Sequence, residues 1–280
     1  MTSEGGVGYG SDSIIFYEVE EGMNVTRSAI GNALLLFLLV APARADQPFQ
    51  LINQMTFGVE PAVVKYIEYE NKGRIVSVMM MDPSRFDFSV VFANPPMTVG
   101  QFHDRLPKVL LTVNGGYWDD KYRPTDLCIA DGRIIKAPNT RNRHFGLFSV
   151  SREGNVAITD MASVPWSSVD LTGFRHALKS GPHLIRRGRP LAFNAAGAHM
   201  RTVMAITDGG NVIFTVSKTG AMTYAEMAAF LMGTGLGVTD AFNLDGGRSA
   251  GFVLGRGADR VQKDSWQVAD VIQVIEKVEK

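Results

Sequence analysis

The stretch Ala241-Phe242-Asn243-Leu244-Asp245-Gly246-Gly247-Arg248-Ser249 decides how the rest of this chain is read. It starts as an apolar strand and ends in an amide, a carboxylate and two glycines. A backbone without side chains lets a ligand approach closely, and polar groups on strand-end loops are where function concentrates. Just upstream, Thr223 and Glu226 form the signature of a capping box. Met227, Phe230 and Leu231 then recur at helical spacing until Gly233 and Gly235 close the helix.

Two more strand ends have the same character. The apolar run over residues 109–113 leads into Asn114-Gly115-Gly116-Tyr117-Trp118, and residues 177–185 contain Ser180-Gly181-Pro182. Pro182 is barred from a central ladder position, so it marks a bulge or a strand end. Convergence of the three ends would floor a pocket with backbone amides.

Working outward, hairpin signals dominate. Residues 59–69 and 75–81 flank Glu70-Asn71-Lys72-Gly73, 127–130 and 133–135 flank Asp131-Gly132, and 201–207 and 212–216 flank Asp208-Gly209-Gly210-Asn211. Thr98 caps a short helix over residues 99–105, and residues 266–275 form a last strand. The run at 109–113 has the continuous apolar character of a strand buried on both faces. The expected fold is a strand-rich single domain of the α+β or mixed α/β class, with a mixed central sheet and a few helices.

Composition narrows the function. The chain has 280 residues, 45% hydrophobic and 20% charged, with a formal net charge of zero. No net field argues for nucleic acid or an acidic membrane surface. Cys128 is the single cysteine, which excludes an intrachain disulfide and a cysteine zinc site; its strand-like setting makes it a small buried apolar residue. His103, His144, His176, His183 and His199 lack paired metal-ligand spacing, so neither a metal nor another cofactor is called for. The basic groups Arg141, Arg143, His144 and Arg186, Arg187, Arg189 read as solvated turns. Met79, Met80 and Met81 read as core filling.

The N-terminus stands apart. From Met23 the chain reads as a secretory signal, with Arg27, then the apolar run 33–40, then Ala43-Arg44-Ala45 as the cleavage site. The apolar run is too short for a permanent membrane anchor. Residues 1–22 carry five acids and no base, the wrong charge for the front of a signal, so they read as a mis-assigned extension. Residues 46–107 then form an N-terminal strand-rich part, and 108–280 the core. The mature chain keeps 26 basic and 23 acidic side chains, a net charge of +3 that suits a small anionic substrate. The expected location is periplasmic or secreted.

Five segments in order resemble the phosphodiester glycosidase family. They are Val113 to Trp118, Leu127 to Arg133, Ser180 to Ile185 with Gly188, Arg201-Thr202, and Asn243 to Gly247; Trp266-Gln267-Val268-Ala269-Asp270 resembles the family's closing strand. Relatives usually carry a third glycine where this chain has Arg248. The resemblance implies release of a sugar from a phosphodiester at the anomeric carbon, in a cell-surface or extracellular glycopolymer.

That reaction has recognisable needs. An oxocarbenium-like state calls for a carboxylate, for which Asp245 is the candidate, as nucleophile, base or electrostatic stabiliser. A departing phosphate calls for a fixed cation, for which Arg201 is the candidate because a guanidinium fork matches phosphate oxygens; Arg248 is a second cation. Asn114 and Asn243 are candidates for sugar hydroxyls, and Gly115, Gly116, Gly246 and Gly247 for an anion nest. Tyr117, Ser180, Gly181 and Thr202 complete the candidate substrate contacts. Ser180 lacks the elbow of a nucleophilic serine. Against this stand three blander readings: Asp245 as an Asx-turn, Arg201 as a surface base and Asn114 as a loop brace. Two other functions remain open, a non-catalytic sugar- or polymer-binding module and a phosphodiesterase cutting at phosphorus.

Overall fold

The computed structural model describes residues 48–141, 145–193 and 197–277. The extension at 1–22 and the signal at 23–45 lie outside these residues, as do Arg143 and His144. Strands build three sheets. The largest has eight, in the spatial order Gln50–Val59, Ala62–Asn71, Arg74–Met81, Val212–Thr219, Thr202–Thr207, Val238–Asn243, His183–Arg186 and Arg189–Pro190. A five-stranded sheet runs Asp259–Lys263, Phe252–Arg256, Val109–Asn114, Val268–Glu276, Phe86–Met97. A second five-stranded sheet runs Arg133–Lys136, Cys128–Ala130, Phe174–Ser180, Gly146–Ser151, Val156–Asp160.

Alternation along the strands explains the layering. In Arg74–Met81, Met79 and Met81 enter a core shared by all three sheets, with Phe148, Phe214, Phe242 and Phe252, all essentially without solvent contact. Val76 and Val78 face the other way and pack on Met227, Phe230 and Leu231 of the helix Tyr224–Gly233. Each such phenylalanine contributes roughly 2–3 kcal/mol of apolar burial. The helix starts as its sequence signals: the Thr223 hydroxyl accepts from the Glu226 amide, and the Glu226 carboxylate accepts from the Thr223 amide at 2.7 Å.

The mixed α/β expectation is overturned. Strands hold 54% of the described residues against 14% helix, and every ladder among them is antiparallel, which makes the fold mostly β. Tight turns such as Asp131-Gly132 and Asp208–Asn211 fold the chain into antiparallel hairpins. The two α-helices among the described residues, Val99–Asp104 and Tyr224–Gly233, cover sheet faces and make no parallel crossover. The strand Val109–Asn114 is buried throughout for a different reason than a parallel sheet. Leu111 and Val113 face the shared core, while Thr112 bonds His103 of the covering helix at 3.0 Å.

Pro182 marks a change of sheet. Phe174–Ser180 belongs to one five-stranded sheet, and His183–Arg186 pairs with Val238–Asn243 in the eight-stranded one. The register Val203 to Asn243 and Val271 to Asn114 then brings the ends of two sheets together at one place.

Candidate active site

Asn114 ties that place together. Fully buried, its Oδ1 accepts from the Thr202 hydroxyl at 2.7 Å and from the Gly251 amide at 3.1 Å, and its Nδ2 donates to the Asp245 carbonyl at 2.8 Å. The Asp245 amide returns a bond to the Gly115 carbonyl at 3.0 Å, and the Leu244 amide one to the Thr202 carbonyl at 2.8 Å. A buried amide with its bonding used on backbone fixes loops. Asn114 therefore sets the positions of Asp245 and Thr202.

The glycines are required for closeness. A Cβ on Gly246 would lie 2.6 Å from the Met200 carbonyl oxygen, so the Asp245 loop packs directly on the chain leading to Arg201. Gly247 continues the contact, its amide donating to the Met200 carbonyl at 2.8 Å.

Asp245 is partly exposed, and its carboxylate accepts from the Gly246 amide at 2.8 Å. Burial pushes its pKa up to about 6, opposed by the Ser249 hydroxyl and the Gly246 amide. The Trp118 indole N–H is buried outside hydrogen-bond geometry, yet close enough to favour the Asp245 anion.

Arg201 is 4% exposed. Its guanidinium stacks on Tyr224 with Cζ 3.8 Å from the ring centroid, Nε donating to the Met222 carbonyl at 2.9 Å and Nη2 to the Gly197 carbonyl at 2.7 Å. No described carboxylate forms an ion pair with it, and Nη1 has no hydrogen bond to a described residue. Carbonyls and a ring face orient the charge without neutralising it.

A pair of phenols leads from the cation to Asn243. Tyr224, under Arg201, hydrogen-bonds Tyr117, and the Tyr117 hydroxyl donates to the Gly181 carbonyl at 2.9 Å and accepts from Asn243 Nδ2 at 2.8 Å. Burial holds the Tyr117 phenol far above its ordinary pKa, with Tyr224 and the Asp245 charge adding to the effect. Asn243 Nδ2 also meets the Leu244 carbonyl, while its Oδ1 is buried without a partner.

The three glycine-bearing ends thus meet. Tyr117, Asp245, Gly246 and Gly247 are partly open to solvent, whereas Asn114, Gly115, Gly116, Ser180, Gly181, Thr202 and Asn243 form the buried layer behind them. The Ser180 hydroxyl is buried without a partner. Arg248 is exposed, its Cζ 5.3 Å from the ring centroid of Trp266, whose amide donates to the Arg248 carbonyl at 2.8 Å. His183 sits against Phe242, its Nδ1 3.8 Å from Asp160 Oδ1. Among the described residues no cluster of His, Cys, Asp and Glu is placed to hold a metal ion.

The site-residue reading missed Tyr224, Ser249 and Asp270. Asp270 had a signal, the one acid inside Val268–Ile275, a run that is apolar but for Asp270 and Gln273. Its Oδ1 accepts from the Gly116 amide at 2.7 Å, and its carbonyl from the Gly115 amide at 3.0 Å. Tyr224 had no signal beyond the first position of a helix, because stacking on Arg201 is a long-range contact.

The phosphodiester glycosidase family matches residues 107–275. The chain belongs to that family. Family membership supports a glycosidase-type function. A comparison with curated proteins gives no match. Among solved structures, a protein from Synechocystis superposes with a TM-score of 0.57 at 15% identity, over 82% of this chain and 64% of that one. The zebrafish N-acetylglucosamine-1-phosphodiester alpha-N-acetylglucosaminidase catalytic domain, auto-inhibited by its pro-peptide, superposes with a TM-score of 0.55 at 14% identity, over 84% and 85%. At such identities the two likenesses speak for the fold alone.

Proposed function

We propose that this family member is an exported hydrolase that releases a sugar from a glycosyl phosphodiester in a cell-surface or extracellular glycopolymer. The observation that carries the reading is the buried guanidinium of Arg201, which pairs with no described acid and follows the segment on which the loop of Asp245 packs, Asp245 being a carboxyl that burial raises to about 6. A buried cation is costly without an anion, and a phosphodiester supplies one. Arg201 holds the phosphate oxygens, the Gly246 and Gly247 amides being already committed to the Asp245 carboxylate and the Met200 carbonyl, and Asp245 faces the anomeric carbon. As the C–O bond lengthens, positive charge grows on the ring next to the Asp245 carboxylate and negative charge on the phosphate next to Arg201. Water completes the sugar and the phosphate departs as a monoester. Tyr117, its phenol held far above the ordinary range by burial, keeps its proton throughout.

Asp245 works as an anion, so kcat/KM rises as pH rises through about 6, the value at which burial places this carboxyl. An Asp245→Asn variant, assayed on a glycosyl phosphodiester, loses at least about a hundredfold in kcat. Full activity in a folded Asp245→Asn protein would remove Asp245 from the chemistry. Retained ligand binding with no turnover by the wild type would make the pocket a binding module.

A further inference from the structure

Asp270 is a carboxyl for which the mechanism above has no use. It lies in Val268–Glu276, between Phe86–Met97 and Val109–Asn114, and has no solvent contact. Its Oδ1 is bound by the Gly116 amide, while Oδ2 is buried with no partner. A Cβ on Gly115 would stand 1.9 Å from Oδ1, so the Gly115-Gly116 turn lies flat against this side chain. The titratable groups that face it are the Cys128 thiol, from the neighbouring sheet, and Asp245 across the turn. No described Lys, Arg or His forms an ion pair with it. A sealed carboxylate with one N–H donor and no cation is far less stable than the neutral acid.

We propose that Asp270 is a positioning residue of the site: as a neutral acid it anchors the Gly116 amide, and its ionisation puts a second negative charge beside Asp245 that repels an anionic phosphodiester. This rests on the functional reading above. Burial raises Asp270 to about 7, the Gly116 amide opposing and the Asp245 charge adding to the rise. With Asp245 at about 6, the pair carries a single charge between its two apparent values. Activity is therefore confined on both sides: Asp245 must lose its proton and Asp270 must keep its own.

The test is the pH profile of kcat/KM for wild type and Asp270→Asn on a glycosyl phosphodiester. Asparagine keeps an oxygen for the Gly116 amide and cannot ionise. The wild type falls about tenfold per pH unit above its upper limb. The variant keeps the acid limb and, whatever its absolute rate, loses the alkaline one. A folded variant that falls at the same pH as the wild type overturns the proposal. Carboxyl-carbon NMR gives a second readout that needs no activity. Two wild-type carboxyl signals titrate above about pH 5.5, and Asp245→Asn removes one and moves the other to lower pH. A single late-titrating signal overturns the proposal even when Asp270→Asn does not fold. If the wild type cleaves no glycosyl phosphodiester, the functional reading fails alone, and the NMR titration still decides whether Asp270 holds a proton beside Asp245.

Discussion

Two buried charged clusters in this molecule are built on opposite plans. In the five-stranded sheet that contains Phe174–Ser180, Lys179 and Asp126 pair at 3.0 Å, with side chains 1% and 3% exposed. Lys179 also donates to the Asn139 carbonyl at 2.7 Å and faces the Trp166 ring, and Asp126 accepts from the Leu127 amide at 2.8 Å and the Asn139 amide at 2.9 Å. Each charge there has its complement inside the fold. At the meeting of the other two sheets, Arg201 has carbonyls and a phenol ring but no described acid, and Asp245 and Asp270 have amides but no described base. The first cluster is complete. The second is one anion short on the Arg201 side, where the proposed function puts the phosphate.

The contrast can be broken by mutation. Lys179→Met leaves Asp126 buried without its cation, and should cost about 3–5 kcal/mol of unfolding free energy in a urea titration. The chemical step should be untouched in whatever protein remains folded. Arg201→Met should do the reverse. It removes a buried charge together with two hydrogen bonds, so the net stability change stays under about 2 kcal/mol, while turnover of a glycosyl phosphodiester falls at least about a hundredfold. Equal destabilisation by the two substitutions would show Arg201 to be a structural cation like Lys179.

Local signals in the sequence were legible where a few neighbouring residues settle the structure. Thr98 and Thr223 cap their helices, and Asp131-Gly132 and Asp208–Asn211 turn their hairpins. The strand ends at Asn114, Ser180 and Asp245 were readable because glycine and proline interrupt apolar runs. Strand partnership was not readable. The antiparallel placement of Val109–Asn114 between Phe252–Arg256 and Val268–Glu276 depends on residues more than a hundred positions apart. An apolar run looks the same in either sense of pairing. Gln50–Val59 escaped notice because, as an edge strand, it exposes nearly every side chain and shows no alternation. Within the site, the sequence named the acid and the cation but not the groups that tune them. Tyr224, Ser249 and Asp270 act through contacts that no spacing encodes.

The central claim is that water attacks carbon and not phosphorus. Hydrolysis of a glycosyl phosphodiester in oxygen-18 water tests it directly, with both products analysed by mass spectrometry. Attack at carbon puts the label in the released sugar and none in the phosphomonoester. Label in the phosphate would contradict it, and would place the Arg201–Asp245 site in phosphorus chemistry instead.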